Sequence, residues 1–435
     1  MSERDSFSSI SRRRFLTSAA ALGAAVVAGP VLADDISMED IINAPRRGNW
    51  DDQFDAKASR TAAAITTKNP IFGPGASANL QQAIYDYEAI VANGGWPKVN
   101  TTVKLKIGMD DPAIAELRKR LMISGDLAKS AGISTAYDSL VEEGVKRFQA
   151  RHGLPLDGVI GKYTLEAINI PADTRLMQLR TNLERVNAIT EDLGQRYVMV
   201  NIPAAYIEAV ENNRVAQRHT AIVGRISRPT PILDSKIYNV TLNPYWTAPR
   251  SIVEKDIMPL MRKDPKYLAD NKIRLFDGKG NEVDPTTIDW NAEAPDLMFR
   301  QDPGKINAMA STKINFHNEF ATYMHDTPSQ GLFNKLSRFE SSGCVRCQNV
   351  RDLTTWILRD TPGWSRQQIE ATIRTGVNTP IEIAPEHQMP IYFKYVTAWS
   401  AKDRIVQFRD DIYQMDGAQE LALQTGLNQE PVVAN

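Results

Sequence analysis

The sequence MHDTPSQGLFNKLSRFESSGCVRC, residues 324–347, holds both cysteines of the 435-residue chain and one of its five histidines. His325 follows an apparent strand at residues 321–324, and Cys344 follows Gly343 in a turn rich in serine. A thiol reacts as its thiolate, and a nearby histidine can take the proton. The backbone N–H groups of Gly343 and Cys344 could hold an oxyanion, and Asp326 or a main-chain carbonyl could fix the imidazole tautomer. The pattern indicates a Cys-His acyl-transfer site, although spacing alone leaves open that the two residues are unrelated.

The composition is that of an ordinary globular protein, with 42% hydrophobic and 24% charged residues. A net charge of −1 argues against a general nucleic-acid binder. Two cysteines are too few for a disulfide scaffold. The histidines show no metal-ligand spacing with the cysteines, so we expect neither a metal nor a cofactor.

The first 33 residues have the pattern of a signal peptide. The basic run SRRRFL at residues 11–16 precedes an apolar stretch at residues 19–27, and VLA at residues 31–33 offers small residues for cleavage. The paired arginines resemble a twin-arginine export signal. An uncleaved anchor helix is the alternative, but the apolar stretch is short for a membrane span. No later segment is apolar enough to cross a membrane, so we expect a mature protein in the periplasm.

Residues 34–102 form the next predicted segment, with a scaffold helix over residues 80–91. A helical module is predicted over residues 103–172 and a second scaffold helix over residues 173–194. Within the module, FQARHGLPLDGVIGKYTLEAI at residues 148–168 resembles the peptidoglycan-binding repeat, a small three-helix unit. This resemblance implies docking onto cell-wall polymer; the alternative is a spacer that kept the fold and lost the ligand.

Apolar residues alternate with a period of two from about residue 197, which predicts a β-rich domain over residues 195–385. Between residues 251 and 300 the strand pattern lapses, and residues 252–261 and 265–271 have helical patterns. An insertion of this length is more typical of a cap than of a plain connection. Residues 386–435 are predicted to be a C-terminal scaffold segment and tail.

Several further motifs accompany the Cys-His segment. They are HDTP at residues 325–328, SGCVR at 342–346, Arg338, residues 223–231, NPYW at 243–246, PGKINAMASTKINF at 303–316, YFKYVTAWS at 392–400 and FRDDIY at 408–413. Together they resemble the L,D-transpeptidase catalytic family, in its large Gram-negative form. That resemblance implies an α+β protein with a β-rich catalytic domain, a helical cap, a peptidoglycan-binding module and a helical scaffold.

The resemblance also implies roles for individual residues. Cys344 would be the nucleophile, His325 its general base, and the Gly343 and Cys344 N–H groups the oxyanion donors. The remaining candidates are substrate-pocket residues: Tyr323, Asp326, Arg338, Ser342, Arg346 and Trp246. Trp246 has the alternative of being a core residue. Ser342 stands where many family members have histidine.

Cys347 stands where the family usually has an aliphatic residue. In an oxidising compartment Cys347 could be a redox partner that closes a disulfide with Cys344. The alternative is a small buried apolar residue that points away from the site.

The implied function is transfer of a donor tetrapeptide stem onto an acceptor amine of a second stem, with loss of D-alanine. A carboxypeptidase or a lipoprotein-anchoring transpeptidase is an alternative. A thiol-disulfide oxidoreductase and a non-catalytic wall-binding protein are further alternatives.

Overall fold

The computed structural model describes residues 68–189, 193–402 and 405–423. The predicted signal peptide, the first part of the predicted 34–102 segment and the last residues of the tail lie outside these ranges. No helix within them combines the length and apolarity that a membrane crossing requires.

Within the described residues, five α-helices precede the first strand. They are α1 (Ala76–Ala92), α2 (Pro112–Ile123), α3 (Ser139–His152), α4 (Lys162–Ile168) and α5 (Ala172–Asn187). Helices α2, α3 and α4 enclose one apolar core, which includes Leu117, Phe148 and Ile168. The Asp111 carboxylate caps α2 and the Asp138 carboxylate caps α3, as expected for aspartate before a first helical turn. Gly153, with a φ of 67°, ends α3 in the left-handed conformation that favours glycine.

A large sheet follows. Its strands are β1 (Arg196–Asn201), β2 (Tyr206–Glu211), β3 (Arg214–Gly224), β4 (Leu233–Leu242), β9 (Thr312–Phe316), β10 (Met324–His325), β11 (Phe339–Ser341), β12 (Val345–Cys347), β13 (Thr379–Glu382) and β14 (Met389–Lys394). The order is β11-β3-β12-β10-β9-β4-β14-β1-β2, with β13 paired to β4. Because β2 also pairs with β3, the sheet closes on itself around one core.

Two differences from the sequence predictions concern this sheet. Strand β14 lies between β1 and β4, although the sequence analysis placed its residues in the C-terminal segment. The predicted strand over residues 321–324 is shorter than expected, because only Met324 and His325 pair and Ala321 has a φ of 53°. Helices α9 (Val350–Ile357) and α10 (Arg366–Thr375) pack their apolar faces on the same core.

The cap insertion follows β4. Its first half is helical, as predicted: α6 (Arg250–Ile252), a π-helix (Val253–Ile257), α7 (Met258–Lys263) and α8 (Tyr267–Asp270). The predicted lapse of strands is wrong for its second half. There, strands β6 (Ile273–Phe276), β7 (Glu282–Val283) and β8 (Met298–Gln301) form a separate sheet with β5 (Trp246–Thr247), which precedes the helices; the order is β5-β8-β6-β7. Its strands have only two to four residues, too few for a period-two pattern to be visible in the sequence.

The C-terminal hairpin, β15 (Ala398–Lys402) and β16 (Ile405–Phe408), packs against α1 and α5. Phe408 and Trp399 lie in the same apolar cluster as Leu80 of α1 and Leu179 of α5. The two ends of the described chain thus pack together, helices against a hairpin, beside the large sheet.

Candidate active site

Strand pairing brings the chemistry-bearing residues of three strands to one face of the sheet. Strand β10 pairs in parallel with β12, with His325 opposite Arg346, and antiparallel with β9, with His325 opposite Lys313. Side chains alternate along a strand, so Tyr323 and Cys344, two residues before His325 and Arg346, share their face. The Tyr323 ring lies 5.5 Å from the His325 ring and 4.2 Å from the Lys313 ammonium group. Neighbouring strands therefore place the side chains of Cys344 and His325 on the same face of the sheet.

The opposite face belongs to the core. Met324, Val345 and Cys347 point there and are fully buried. Both cysteines are free thiols. Because Cys344 and Cys347 lie on opposite sides of β12, the structure does not bring them together as redox partners. Cys347 is the buried apolar residue of the alternative interpretation, and burial raises the pKa of its thiol well above the usual value.

His325 is held in one tautomer by a main-chain carbonyl. Its Nδ1 lies 2.5 Å from the carbonyl oxygen of Asp326. A carbonyl oxygen only accepts, so Nδ1 carries the proton and Nε2 keeps its lone pair. The imidazole is 6% exposed. Burial, followed by the charge of Arg346, lowers its pKa to about 3, so His325 is a neutral base at ordinary pH.

The Cys344 thiol experiences opposing influences. Burial raises its pKa above the usual value, whereas hydrogen bonds from the main chain and the side chain of Tyr323 and the charges of Lys313 and Arg346 act in the opposite direction. Burial prevails, so the resting site holds a neutral thiol beside a neutral imidazole. The positive charges of Lys313 and Arg346 remain on the same face and favour any negative charge that develops on sulfur.

The turn before Cys344 is fixed by its own side chains. Gly343 has a φ of 112°, which only glycine adopts without strain. Its N–H donates to Ser341 Oγ at 3.1 Å, and Ser341 Oγ donates to the Cys344 carbonyl at 2.5 Å. The prediction of Gly343 as an oxyanion donor is therefore at odds with the structure, because this N–H already has an acceptor. The Cys344 N–H donates to no acceptor within the described residues and remains available.

Hydrogen bonds from Thr230 and Tyr413 support this turn. Thr230 Oγ1 donates to the Gly343 carbonyl and accepts from the Gly224 N–H, both at 2.8 Å. The Tyr413 hydroxyl donates to the Gly224 carbonyl at 2.6 Å and accepts from the Thr230 N–H at 3.1 Å. Both side chains fix the turn without reaching the sulfur.

The cap contacts the site at two points. Trp246, on β5, hydrogen bonds to the Tyr323 hydroxyl and packs against the apolar cluster of the cap. Arg228 donates to Asp256 of the π-helix at 2.7 Å and to the exposed Ser342 at 2.9 Å. Trp246 and Ser342 thus lie at the boundary between the cap and the nucleophile turn.

Two predicted pocket residues are directed elsewhere. The Asp326 carboxylate accepts from Ser311 Oγ at 2.5 Å and from the Thr327 N–H at 2.8 Å, so it braces the loop after β10. Arg338 donates to the carbonyls of Ala204 and Lys335 and lines a separate cavity. The structure brings Tyr323 and Arg346 to Cys344 but not Arg338.

Sequence reasoning missed Lys313, Arg228, Thr230 and Tyr413 as functional residues. Lys313 carried a usable signal, because a lysine that alternates with Thr312 and Ile314 on a strand must lie on the non-core face. The other three belong to loops whose partners lie more than 100 residues away along the chain, and no local pattern indicates such contacts.

Comparison with known families agrees with this geometry. Residues 195–383 match the family described as "L,D-transpeptidase catalytic domain". Residues 195–383 form an L,D-transpeptidase catalytic domain. Residues 110–168 match the family described as "Putative peptidoglycan binding domain". The predicted α+β architecture is thereby confirmed, with the helical module before the β-rich catalytic domain.

A "Putative L,D-transpeptidase" of Haemophilus influenzae is 34% identical over 249 residues, which cover 56% of this chain and 49% of that protein. The matched part therefore spans about half the length of this relative. Among solved structures, an L,D-transpeptidase from Stackebrandtia nassauensis is 12% identical, with a TM-score of 0.25, 68% of this chain covered and 96% of the other. An L,D-transpeptidase from Mycobacterium smegmatis is 12% identical, with a TM-score of 0.22 and coverages of 46% and 58%.

Proposed function

We propose that this protein is a cysteine acyltransferase that crosslinks peptidoglycan stem peptides. The supporting observation is the shared face of β10 and β12. It holds the Cys344 thiol and a neutral His325 whose Nδ1 is bound to the Asp326 carbonyl. A neutral imidazole with a free Nε2 can accept a thiol proton and later return it.

In the first half-reaction, Cys344 Sγ attacks the carbonyl that joins the L-centre of diaminopimelate to the terminal D-alanine. The thiol proton passes to His325 Nε2 as the S–C bond forms. The Cys344 N–H donates to the developing oxyanion. The C–N bond then breaks, and His325 protonates the leaving amine. D-Alanine departs, and a thioester between Cys344 and the donor stem remains.

The low basicity of His325 shapes this step. A base with a pKa of about 3 does not deprotonate a thiol of raised pKa in the resting enzyme. Proton transfer therefore accompanies the attack on the bound carbonyl, and Lys313 and Arg346 stabilise the charge on sulfur while it lasts. The Tyr323 hydroxyl donates to the same sulfur.

In the second half-reaction, the side-chain amine of an acceptor stem attacks the thioester. The amine loses a proton to His325, the new C–N bond forms, the C–S bond breaks, and the proton returns to sulfur. A thioester reacts readily with amines. Closure of the cap at Trp246 and the Arg228–Asp256 pair would limit hydrolysis by excluding water.

Water or a lipoprotein lysine as acceptor would make the protein a carboxypeptidase or an anchoring enzyme. A non-enzymatic wall-binding protein is the remaining alternative. The oxidoreductase alternative is disfavoured because Cys347 lies on the core face, away from Cys344.

The setting we propose is the periplasm, reached through the twin-arginine signal. The helical module would dock the enzyme onto the polymer whose stems the catalytic domain joins.

The test is incubation of residues 34–435 with disaccharide-tetrapeptide, followed by mass spectrometry with and without reductant. We expect release of D-alanine and a dimeric product joined through two diaminopimelates. Cys344→Ala should release none. Continued release by this variant would refute the mechanism, and a monomeric tripeptide alone would establish the carboxypeptidase.

A further inference from the structure

A cavity lies apart from the catalytic face of the large sheet. It has a volume of about 340 Å³ and shares no lining residue with the Cys344 cluster. Its walls come from several parts of the fold: the segment before α1, the loop after α3 in the helical module, strands β2 and β3 of the large sheet, the segment before β11, and the C-terminal hairpin. A site built at the junction of separate elements is a common location for ligands.

The cavity holds two guanidinium groups that no carboxylate neutralises. Arg409 is 7% exposed and donates to the carbonyls of Arg151 and Phe408 and to the Gln407 amide oxygen. Arg338 donates to the carbonyls of Ala204 and Lys335. Across the described ranges, all of these acceptors are neutral.

The other charges of the cavity are paired with each other. Glu208 accepts from Arg218 at 2.6 Å, and Lys335 lies 2.9 Å from Glu340. The cavity therefore keeps an excess of two positive charges. Buried charges in proteins are normally paired, so this excess among the described residues favours an anionic ligand.

Further details of the cavity are consistent with this charge. The Arg338 Nε atom is buried and has no hydrogen-bond partner among the described residues. Burial raises the pKa of the Tyr206 hydroxyl, but Arg409 and Arg338 more than offset this effect and its pKa lies below the usual value. The electric field of the cavity thus already favours an anion.

The shape of the cavity favours a carboxylate on a short apolar body. The Arg409 guanidinium lies 4.8 Å from the Trp399 ring centre and 5.6 Å from that of Tyr206. The apolar part of the cavity wall includes Leu154, Leu156 and Leu336. A planar guanidinium recognises a carboxylate through two parallel hydrogen bonds.

Gly153 permits this arrangement. A Cβ at this position would lie 2.8 Å from Arg409 Nε, so the glycine lets the guanidinium lie against the backbone of the helical module. The module therefore forms part of the wall, which links the cavity to the element that resembles a peptidoglycan-binding unit.

We propose that this cavity binds the terminal carboxylate of a peptidoglycan stem peptide, outside the catalytic centre. The identity of the ligand rests on the proposed function, which makes stem peptides the acidic peptides that this protein meets. Free D-alanine, the released product, carries the same carboxylate and is the second source to distinguish. A stem peptide bound in this cavity would hold one peptidoglycan strand while the catalytic face acts on a second peptidoglycan strand.

The experiment is calorimetric titration of the full chain, in a Cys344→Ala background that prevents turnover, with the tetrapeptide, its C-terminal amide and D-alanine. We expect two binding events for the tetrapeptide. Arg338→Gln should weaken one of them by about 10-fold or more, since a hydrogen bond to a charged group typically contributes that much. The amide should lose the same event, and D-alanine should bind at least 10-fold more weakly than the tetrapeptide if the cavity is built for a stem.

Two further variants keep the result interpretable. Arg180→Gln removes an exposed arginine of α5, paired with Glu88, and should leave both events unchanged. Lys335→Glu reverses a charge at the rim without removing buried packing and should also weaken the Arg338-dependent event. Thermal melts confirm that each variant is folded.

The inference is overturned if the tetrapeptide shows only one event, lost in Trp246→Ala and unaffected by Arg338→Gln. Equal binding of the amide to the cavity would overturn carboxylate recognition. Equal or tighter binding of D-alanine would overturn the stem peptide as the ligand. Release of D-alanine by the unsubstituted protein tests the proposed function separately, so the two failures can be told apart.

Discussion

Cys344 and Cys347 lie three residues apart, yet they occupy opposite sides of one sheet. Cys344 shares its face with His325, Tyr323, Lys313 and Arg346. Cys347 lies in an apolar core and is fully buried. The pleat of β12 alone produces this difference, because neighbouring side chains point to opposite faces. A Cys-x-x-Cys spacing on a strand therefore separates two thiols, whereas the same spacing on a helix would bring them together.

The largest expected effect is on activity. We predict that Cys344→Ala lowers the rate of D-alanine release at least about 1,000-fold, because the nucleophile is removed. Cys347→Ala should keep the rate within about threefold, since it is remote from the reacting atoms. Mass spectrometry of the released amino acid measures both. A large loss of D-alanine release in a folded Cys347→Ala protein would contradict the assignment of the two cysteines to different sides of β12.

The second effect concerns the base. His325→Asn should lower the rate about 100- to 10,000-fold, the usual contribution of general acid-base catalysis. His219→Asn is the matched control, because its imidazole lies on β3 and bonds to the Gln348 carbonyl, away from Cys344. Similar losses in the two variants would indicate a structural cause.

The third prediction concerns pH. His325 is neutral above a pKa of about 3, so D-alanine release should show no acidic limb between pH 4 and 7. The Cys344 thiol has a raised pKa, so its alkylation by iodoacetamide should increase steadily with pH beyond the usual thiol range. An activity limb near pH 6.5, or fast alkylation at pH 5, would indicate a resting thiolate-imidazolium pair instead.

The fourth prediction concerns Tyr323. Its hydrogen bond lowers the pKa of Cys344, so Tyr323→Phe should raise that pKa and reduce the thiolate fraction. Alkylation at pH 8 should slow by about 3- to 10-fold, the effect of one hydrogen bond. Tyr238→Phe is the control, because the Tyr238 ring stacks on His317, and it should leave the alkylation rate unchanged. Faster alkylation of Tyr323→Phe would contradict the assigned hydrogen bond.

The smallest expected effect is on stability, where substitution of Cys347 should matter more than substitution of Cys344. Cys347→Ala should lower the free energy of unfolding by about 1 kcal/mol, because it leaves a small void in the core. Cys344→Ala should change it by less than about 0.5 kcal/mol. Urea unfolding at pH 7 measures both. Equal values would show that the two sides of β12 are packed alike.

The sequence was most informative where local patterns carry the structure. The Cys-His segment, the module motif at residues 148–168 and the family motifs predicted the α+β architecture and its two recognisable domains. Alternation along β12 would also have assigned Cys347 to the core, once the neighbouring strand pairings were known.

What escaped prediction depends on one contact within the nucleophile turn and on several distant contacts. Gly343 was expected to donate to an oxyanion, but Ser341 Oγ takes its N–H. Arg338 was expected beside Cys344, but it reaches the carbonyl of Ala204, 134 residues earlier. The short cap strands and the place of β14 in the large sheet likewise follow from pairings across the chain. The distant contacts among these have no signature in neighbouring residues.

The most direct test of the central claim is intact-protein mass spectrometry after rapid quenching of the enzyme with tetrapeptide stem, followed by peptide mapping. Our proposal predicts one acyl adduct per chain, on Cys344, with Cys347 unmodified and no loss of two hydrogens in the absence of reductant. An adduct on Cys347, a Cys344–Cys347 disulfide, or undiminished D-alanine release without any adduct would contradict it.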